Sequence, residues 1–234
     1  MQPMSINRDK AMKQKSISVR ELCGISIFTA VIAVCAQVVI PMPYGVPMTL
    51  QTFAVPLAGV ILGTKNGALS ALIYVLLGIT GLPVFAGFTG GIGIVFGRTG
   101  GFILSFPLMA LTAGIGAKNN TGGRTVRRAA QQTAQQTAER TAQQTAERTA
   151  RRTAEQIARR TIQQTVWQSV WLIIGTAINF ICGMLVFGLV TSNSPIVSFV
   201  YVVLPFIPTA IIKIVMVVVF GRLIGNALEK SGTL

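Results

Sequence analysis

The sequence predicts an all-α integral membrane protein of six transmembrane helices, with a glycine-rich loop on the outer, extracellular face. Three observations predict it. Hydrophobic residues make up 51% of the chain and charged residues only 11%, against about 25% charged in ordinary soluble domains. Apolar runs recur along the chain and are punctuated by proline, glycine or basic residues. The basic residues are sorted to one side of those runs, as cytoplasmic charge is in membrane proteins.

Leu22–Ile40 is the first span. It is too long for the core of a cleaved signal and has no small-residue cleavage site after it. Pro41, Pro43 and Pro47 interrupt the chain there. Phe53–Leu62 extended back to Met48 gives a short or tilted second span ending at Gly63. Gly67–Leu82, Phe102–Ala117, Val166–Val190 and Phe199–Ile224 complete the six. This divides the chain into a basic N-terminus (1–21), helices 1 to 4 (22–117), a basic low-complexity insert (118–165), helices 5 and 6 (166–225) and a tail (226–234).

An even number of spans leaves both termini on one side. Every basic residue except Arg98 and Lys213 falls on that side, which places the termini in the cytoplasm and the protein in the plasma membrane. The net charge of +14 therefore follows topology and does not signal nucleic acid. The insert also has no aromatic residue until Trp167 follows it. It repeats Thr-Ala-x-x every four residues, overshooting the helical period by about 40° per step, so its alanines spiral and form no seam. A solvated helix leading into the fifth span is expected, acting either as an attractor of anionic membrane lipids or as a plain spacer.

The chain has no histidine and six acids, none of them between residues 22 and 138 or between 156 and 228. No metal cluster, cofactor site or nucleophile with its base can be assembled in the spans, so an enzyme is not expected. Cys23 and Cys35 lie about 18 Å apart along one helix and cannot bridge.

That shortage of acid isolates Lys213. An ionised lysine at the centre of a membrane helix costs about 2.5–3.5 kcal/mol unless it pairs or reaches water. Either an anion from outside supplies the counter-charge, or Pro205 and Pro208 break the helix and let the amine snorkel.

Residues 87–101, GFTGGIGIVFGRTGG, contain seven glycines. They match neither a phosphate-binding loop nor a dinucleotide fingerprint. The apolar residues among the glycines suggest a re-entrant loop or an ordered cap, with a flexible loop as the alternative. Gln51 opens the second span, where its amide can meet a ligand or brace a helix. On the first helix Ser26, Thr29, Ala30 and Ala33 form a small-residue face, suited to a partner helix or to packing within the bundle.

VPMTLQTFAVPLAGVILG at 46–63, YVLLGITGLPVFAG at 74–87, FGRTGGFILSF at 96–106 and PFIPTAIIK at 205–213 together resemble the BioY family. Members are biotin-specific substrate-binding (S) components of energy-coupling-factor (ECF) transporters. The resemblance implies the six-helix S-component fold and capture of extracellular biotin. It further implies docking on a transmembrane coupling protein driven by two cytoplasmic ATP-binding subunits. Lys213 would then address the biotin carboxylate. Phe85, Phe88 and Tyr74 would offer apolar walls, as would Trp167 and Trp171. Gln51, Thr89, Asn179 and the backbone of Gly90 and Gly91 would meet the ureido ring, with Arg98 as a further candidate. The chain departs from the usual pattern in carrying Arg98, Thr209 and Ala210 where relatives carry proline, glycine and aspartate. An S component for another anionic vitamin, or a scaffolding membrane protein whose insert binds lipid or a partner, are the competing readings.

Overall fold

The computed structural model describes residues 18–117 and 143–230. The described chain forms helices α1 Val19–Ala36, α2 Gln51–Leu62, α3 Thr64–Ile79, α4 Ile92–Val95, α5 Gly100–Ala117, α6 Gln143–Thr191, α7 Pro195–Val202 and α8 Ile207–Lys230. Between α1 and α2 a short antiparallel ladder pairs β1 Val39–Ile40 with β2 Met48–Thr49.

Local chemistry sets the boundaries. Ser18 caps α1, its hydroxyl accepting from the Glu21 amide while the Glu21 carboxylate accepts from the Ser18 amide at 2.9 Å. This reciprocal cap satisfies two orphan donors and starts the helix three residues before Leu22. The first span is also shorter at its far end than expected, because Val39 and Ile40 join the ladder. Gly63, at φ 83°, joins α2 to α3 in a backbone state that glycine adopts without strain.

The last apolar run is not one helix. Pro205 has no N–H to donate, and α7 gives way to a 3₁₀ turn at Leu204–Phe206 before α8 begins. Pro208 then sits in the first turn of α8, where its missing donor is harmless.

Among the described residues four helical runs are long and apolar enough to cross a membrane: Val19–Ala36, Gly100–Ala117, Ala154–Thr191, and Pro195–Leu228 spanning the α7–α8 break. α2 and α3, with 12 and 16 residues, rise only about 18 and 24 Å. So the six expected spans correspond to four full-length runs and two short apolar helices. The part of the insert at 143–165 is helical and continuous with the fifth apolar segment. Arg8, Lys10, Lys13 and Lys15, the insert from 118 to 142 and the tail from 231 to 234 lie outside the described residues.

α2 is the central element, packing on α1, α3 and α8, while α6 packs on α7 and α8. Ile32, Ala54, Val55, Tyr74, Phe85 and Phe106 fill the core among α1, α2, α3 and α5. Smaller clusters around Phe102 and Phe187, and around Leu172 and Val217, join α6 to its neighbours. The helices converge on one internal space.

Candidate ligand-binding cavity

That space is a cavity of about 270 Å³ bounded by α2, α5, α6, α8, the β1–β2 hairpin and the loop after α3. Phe85, Phe102, Phe106, Met109, Leu172 and Val217 make it largely apolar. Its polar groups are few and fixed.

Lys213 stands two turns into α8, because the break at 204–206 sets where α8 begins. Its amine donates to the Thr49 carbonyl at 2.6 Å and to the Thr52 hydroxyl at 2.8 Å. Lys213, Thr49 and Thr52 all line the cavity. An ammonium has three protons, so two are committed and one remains. Among the described residues no carboxylate pairs with it. Pro56, also in the wall, cannot donate to the Thr52 carbonyl one turn back, which leaves that turn of α2 less tightly closed.

Thr49 begins a relay. Its hydroxyl donates to Gln51 Oε1 at 2.9 Å, Gln51 Nε2 donates to the Tyr74 hydroxyl, and that hydroxyl donates to the Val84 carbonyl at 3.1 Å. Gln51 is 5% exposed and lines the cavity with one amide proton left over. Gln51 thus braces the wall through these bonds and also faces the cavity. Tyr74 lies behind that wall, its ring edge-on to Phe85.

Asn179 on α6 is fully buried and lines the cavity between α5 and α6. Its Nδ2 donates to Ser105 Oγ at 2.7 Å and to the Phe102 carbonyl at 3.1 Å. Those two bonds fix the amide, and its Oδ1 has no hydrogen-bond partner. A buried acceptor without a donor costs about 1–3 kcal/mol, and such a cost is recovered when a ligand N–H arrives.

The start of the glycine-rich stretch is held by backbone bonds. Phe85 and Thr89 pair as an isolated bridge, and Gly91 N donates to the Gly78 carbonyl at 2.7 Å. Gln37, at the end of α1, holds the same segment from the other side. Its Nε2 donates to the carbonyls of Phe85 and Val84, and its Oε1 accepts from the Phe88 amide at 2.8 Å. Phe85 and Thr89 therefore face the cavity. Phe88, Gly90, Gly91 and Arg98 do not form its wall. Phe88 has φ 56° and is 72% exposed, turned away by the tight bend. Gly90 packs against the Leu82 carbonyl. Arg98 reaches the Tyr44 carbonyl at 3.5 Å, on the outside of the hairpin. There Tyr44 stacks on Tyr201 of α7 at 3.7 Å between ring centroids, and the following residues 45–47 line the cavity. Trp167 and Trp171 pack edge-to-face on each other away from the cavity.

Gln37 and Ser105 were not legible as site residues. Both are polar side chains inside or ending apolar helices, and that was the available signal. The small-residue face of α1 divides in two. Ser26 and Ala30 are exposed, whereas Thr29 is buried with its hydroxyl 3.1 Å from the Ser70 carbonyl, and Ala33 packs against the core. A helix turns about 100° per residue, so Thr29 and Ala30 cannot share a face.

Apolar helices able to cross a membrane, gathered around a small apolar cavity with a few fixed polar groups, are the features of a polytopic membrane protein with an internal space of the kind that takes a small ligand. A sequence profile of the BioY family matches residues 12–230. The chain belongs to the BioY family. It is 48% identical over 105 residues to a probable biotin transporter BioY of Pyrococcus horikoshii, covering 45% of this chain and 61% of that one. It is also 48% identical over 96 residues to the biotin transporter BioY of Thermotoga maritima, covering 41% and 56%. The matched stretches thus span less than two thirds of those relatives. In fold the chain resembles a crystal structure of the S-component for biotin from an ECF-type ABC transporter, with a TM-score of 0.65 over 96% of this chain and 95% of that one, at 21% identity.

Proposed function

We propose that the chain captures extracellular biotin and serves in its uptake as the substrate-specific subunit of an ECF-type transporter. The observation that carries this reading is the pairing of Lys213, a cavity-lining cation without an acid, with Asn179, a buried amide whose Oδ1 lacks a donor. Biotin supplies the complementary groups: a carboxylate at one end, an apolar chain and thioether ring between, and a ureido ring with two N–H donors and one carbonyl. Phe85, Phe102, Phe106 and Met109 suit the apolar part, and Gln51 and Thr89 offer further polar contacts. The names of the relatives point the same way.

In this reading the protein lies in the plasma membrane with both termini cytoplasmic. It docks through Ser26 and Ala30 on a transmembrane coupling protein, which two ATP-binding subunits drive. Residues 18–21 and 143–165 meet cytoplasm and lipid, not nucleic acid. Binding of labelled biotin to the purified protein in nanodiscs tests the substrate. Saturable binding well below micromolar Kd is expected; a folded protein that ignores biotin and takes up another anionic vitamin would overturn the proposal.

A further inference from the structure

Away from the cavity, α6 carries a second feature where its charged segment meets its apolar one. Arg160, Gln163, Gln164, Val166, Trp167 and Val170 line a shallow groove along the helix. Positions 160, 163, 164, 167 and 170 recur at three- and four-residue steps, so they form one face. The side chains of Arg160, Gln163 and Gln164 make no hydrogen bond or ion pair among the described residues. Trp167 and Val170 are 44% and 41% exposed.

The face is graded along its axis. Guanidinium and amide groups stand at one end, an indole in the middle and aliphatic surface at the other, over about 15 Å from Arg160 to Val170. Tryptophan favours the boundary between headgroups and acyl chains. Glu155, the nearest acid in the described part of α6, lies about 140° around the helix from Arg160 and so on a different face. Arg152 and Arg159 are exposed nearby and deepen the positive potential.

We propose that this face of α6 is a binding site for an anionic glycerophospholipid. The lipid phosphate meets the Arg160 guanidinium and the Gln163 and Gln164 amides, and an acyl chain lies along Trp167 and Val170. A guanidinium donates to two phosphate oxygens at once, and the amides fix the headgroup height.

The chain has two tryptophans, so Trp171→Phe leaves Trp167 as the sole fluorophore. Quenching of that protein is measured in nanodiscs carrying a small fraction of dibrominated phosphatidylglycerol or dibrominated phosphatidylcholine in an unbrominated phosphatidylcholine bilayer. The anionic lipid should quench at about fivefold lower mole fraction, the preference one basic residue gives near an anionic surface. Arg160→Gln should remove most of that preference and Arg159→Gln, about 100° around the helix, should keep it. Equal quenching by the two lipids overturns the site. So does equal loss in the two arginine variants, which reduces the effect to diffuse attraction. If Trp171→Phe does not fold, the native chain compared with Trp167→Phe gives the same difference.

Discussion

The Lys213 amine donates to the Thr49 carbonyl at 2.6 Å, tying the start of α8 to the hairpin that follows α1. These residues lie 164 positions apart, so the bond closes the bundle at its cavity. It also orients the amine. With Thr52 taking a second proton at 2.8 Å, the lysine is held in one rotamer before any ligand arrives, and little side-chain entropy remains to be lost on binding.

Asn179 is the other fixed polar group in the cavity wall. Asn179→Leu removes the unpartnered Oδ1 and takes one donor from the Ser105 hydroxyl, which keeps its own bond to the Phe102 carbonyl. Biotin affinity should fall by about 1–3 kcal/mol, roughly five- to 160-fold, the scale of a lost buried hydrogen bond. Ser105→Ala leaves Oδ1 in place with one fewer tether at 2.7 Å, and should weaken binding less. Isothermal titration of both variants separates the two.

Gly78 lets the Phe85 ring lie against α3, and a Cβ there would meet the ring atoms. Gly78→Ala should displace Phe85 from the wall, costing about 1–3 kcal/mol of stability as overpacking does and weakening biotin binding with it. Gly93→Ala, where a Cβ meets nothing within 4 Å, should leave both intact. Thermal unfolding in detergent and labelled-biotin binding on each variant check the contrast.

Docking on a coupling subunit should depend on the exposed half of the α1 face. Ala30→Trp is expected to abolish co-purification with the coupling module while biotin binding stays within about twofold, since the change touches no cavity residue. Loss of biotin binding in A30W would instead mean that this face packs within the bundle. Thr29→Trp is expected to unfold the protein, because Thr29 is buried and bonded to Ser70.

Hydropathy and basic-residue placement made the helical membrane fold legible, because apolar runs and charge bias are one-dimensional properties of the chain. The isolation of Lys213 was legible for the same reason: the acids are simply missing from the spans. What escaped was orientation. Phe88 and Arg98 belong to the glycine stretch, yet a positive φ at Phe88 and the reach of Arg98 to Tyr44 turn both away from the cavity. Asn179 was legible as a polar residue in an apolar helix, but only the Ser105 and Phe102 partners decide that its Nδ2 is occupied and its Oδ1 is not. The break between α7 and α8 followed from Pro205, whereas the capping box that extends α1 back to Val19 depends on a reciprocal contact at Ser18 and Glu21.

The central claim is that Lys213 pairs with the ligand carboxylate, and a double-mutant cycle between Lys213→Met and a biotin amide measures that pair. Lys213→Met should weaken biotin binding by about 2–3 kcal/mol. The amide, which lacks the carboxylate, should bind the native protein less tightly than biotin does and be nearly indifferent to the mutation, giving a coupling energy well outside the about 0.5 kcal/mol of independent sites. Equal losses for biotin and its amide would show that Lys213 acts only through its bonds to Thr49 and Thr52, and would contradict the account.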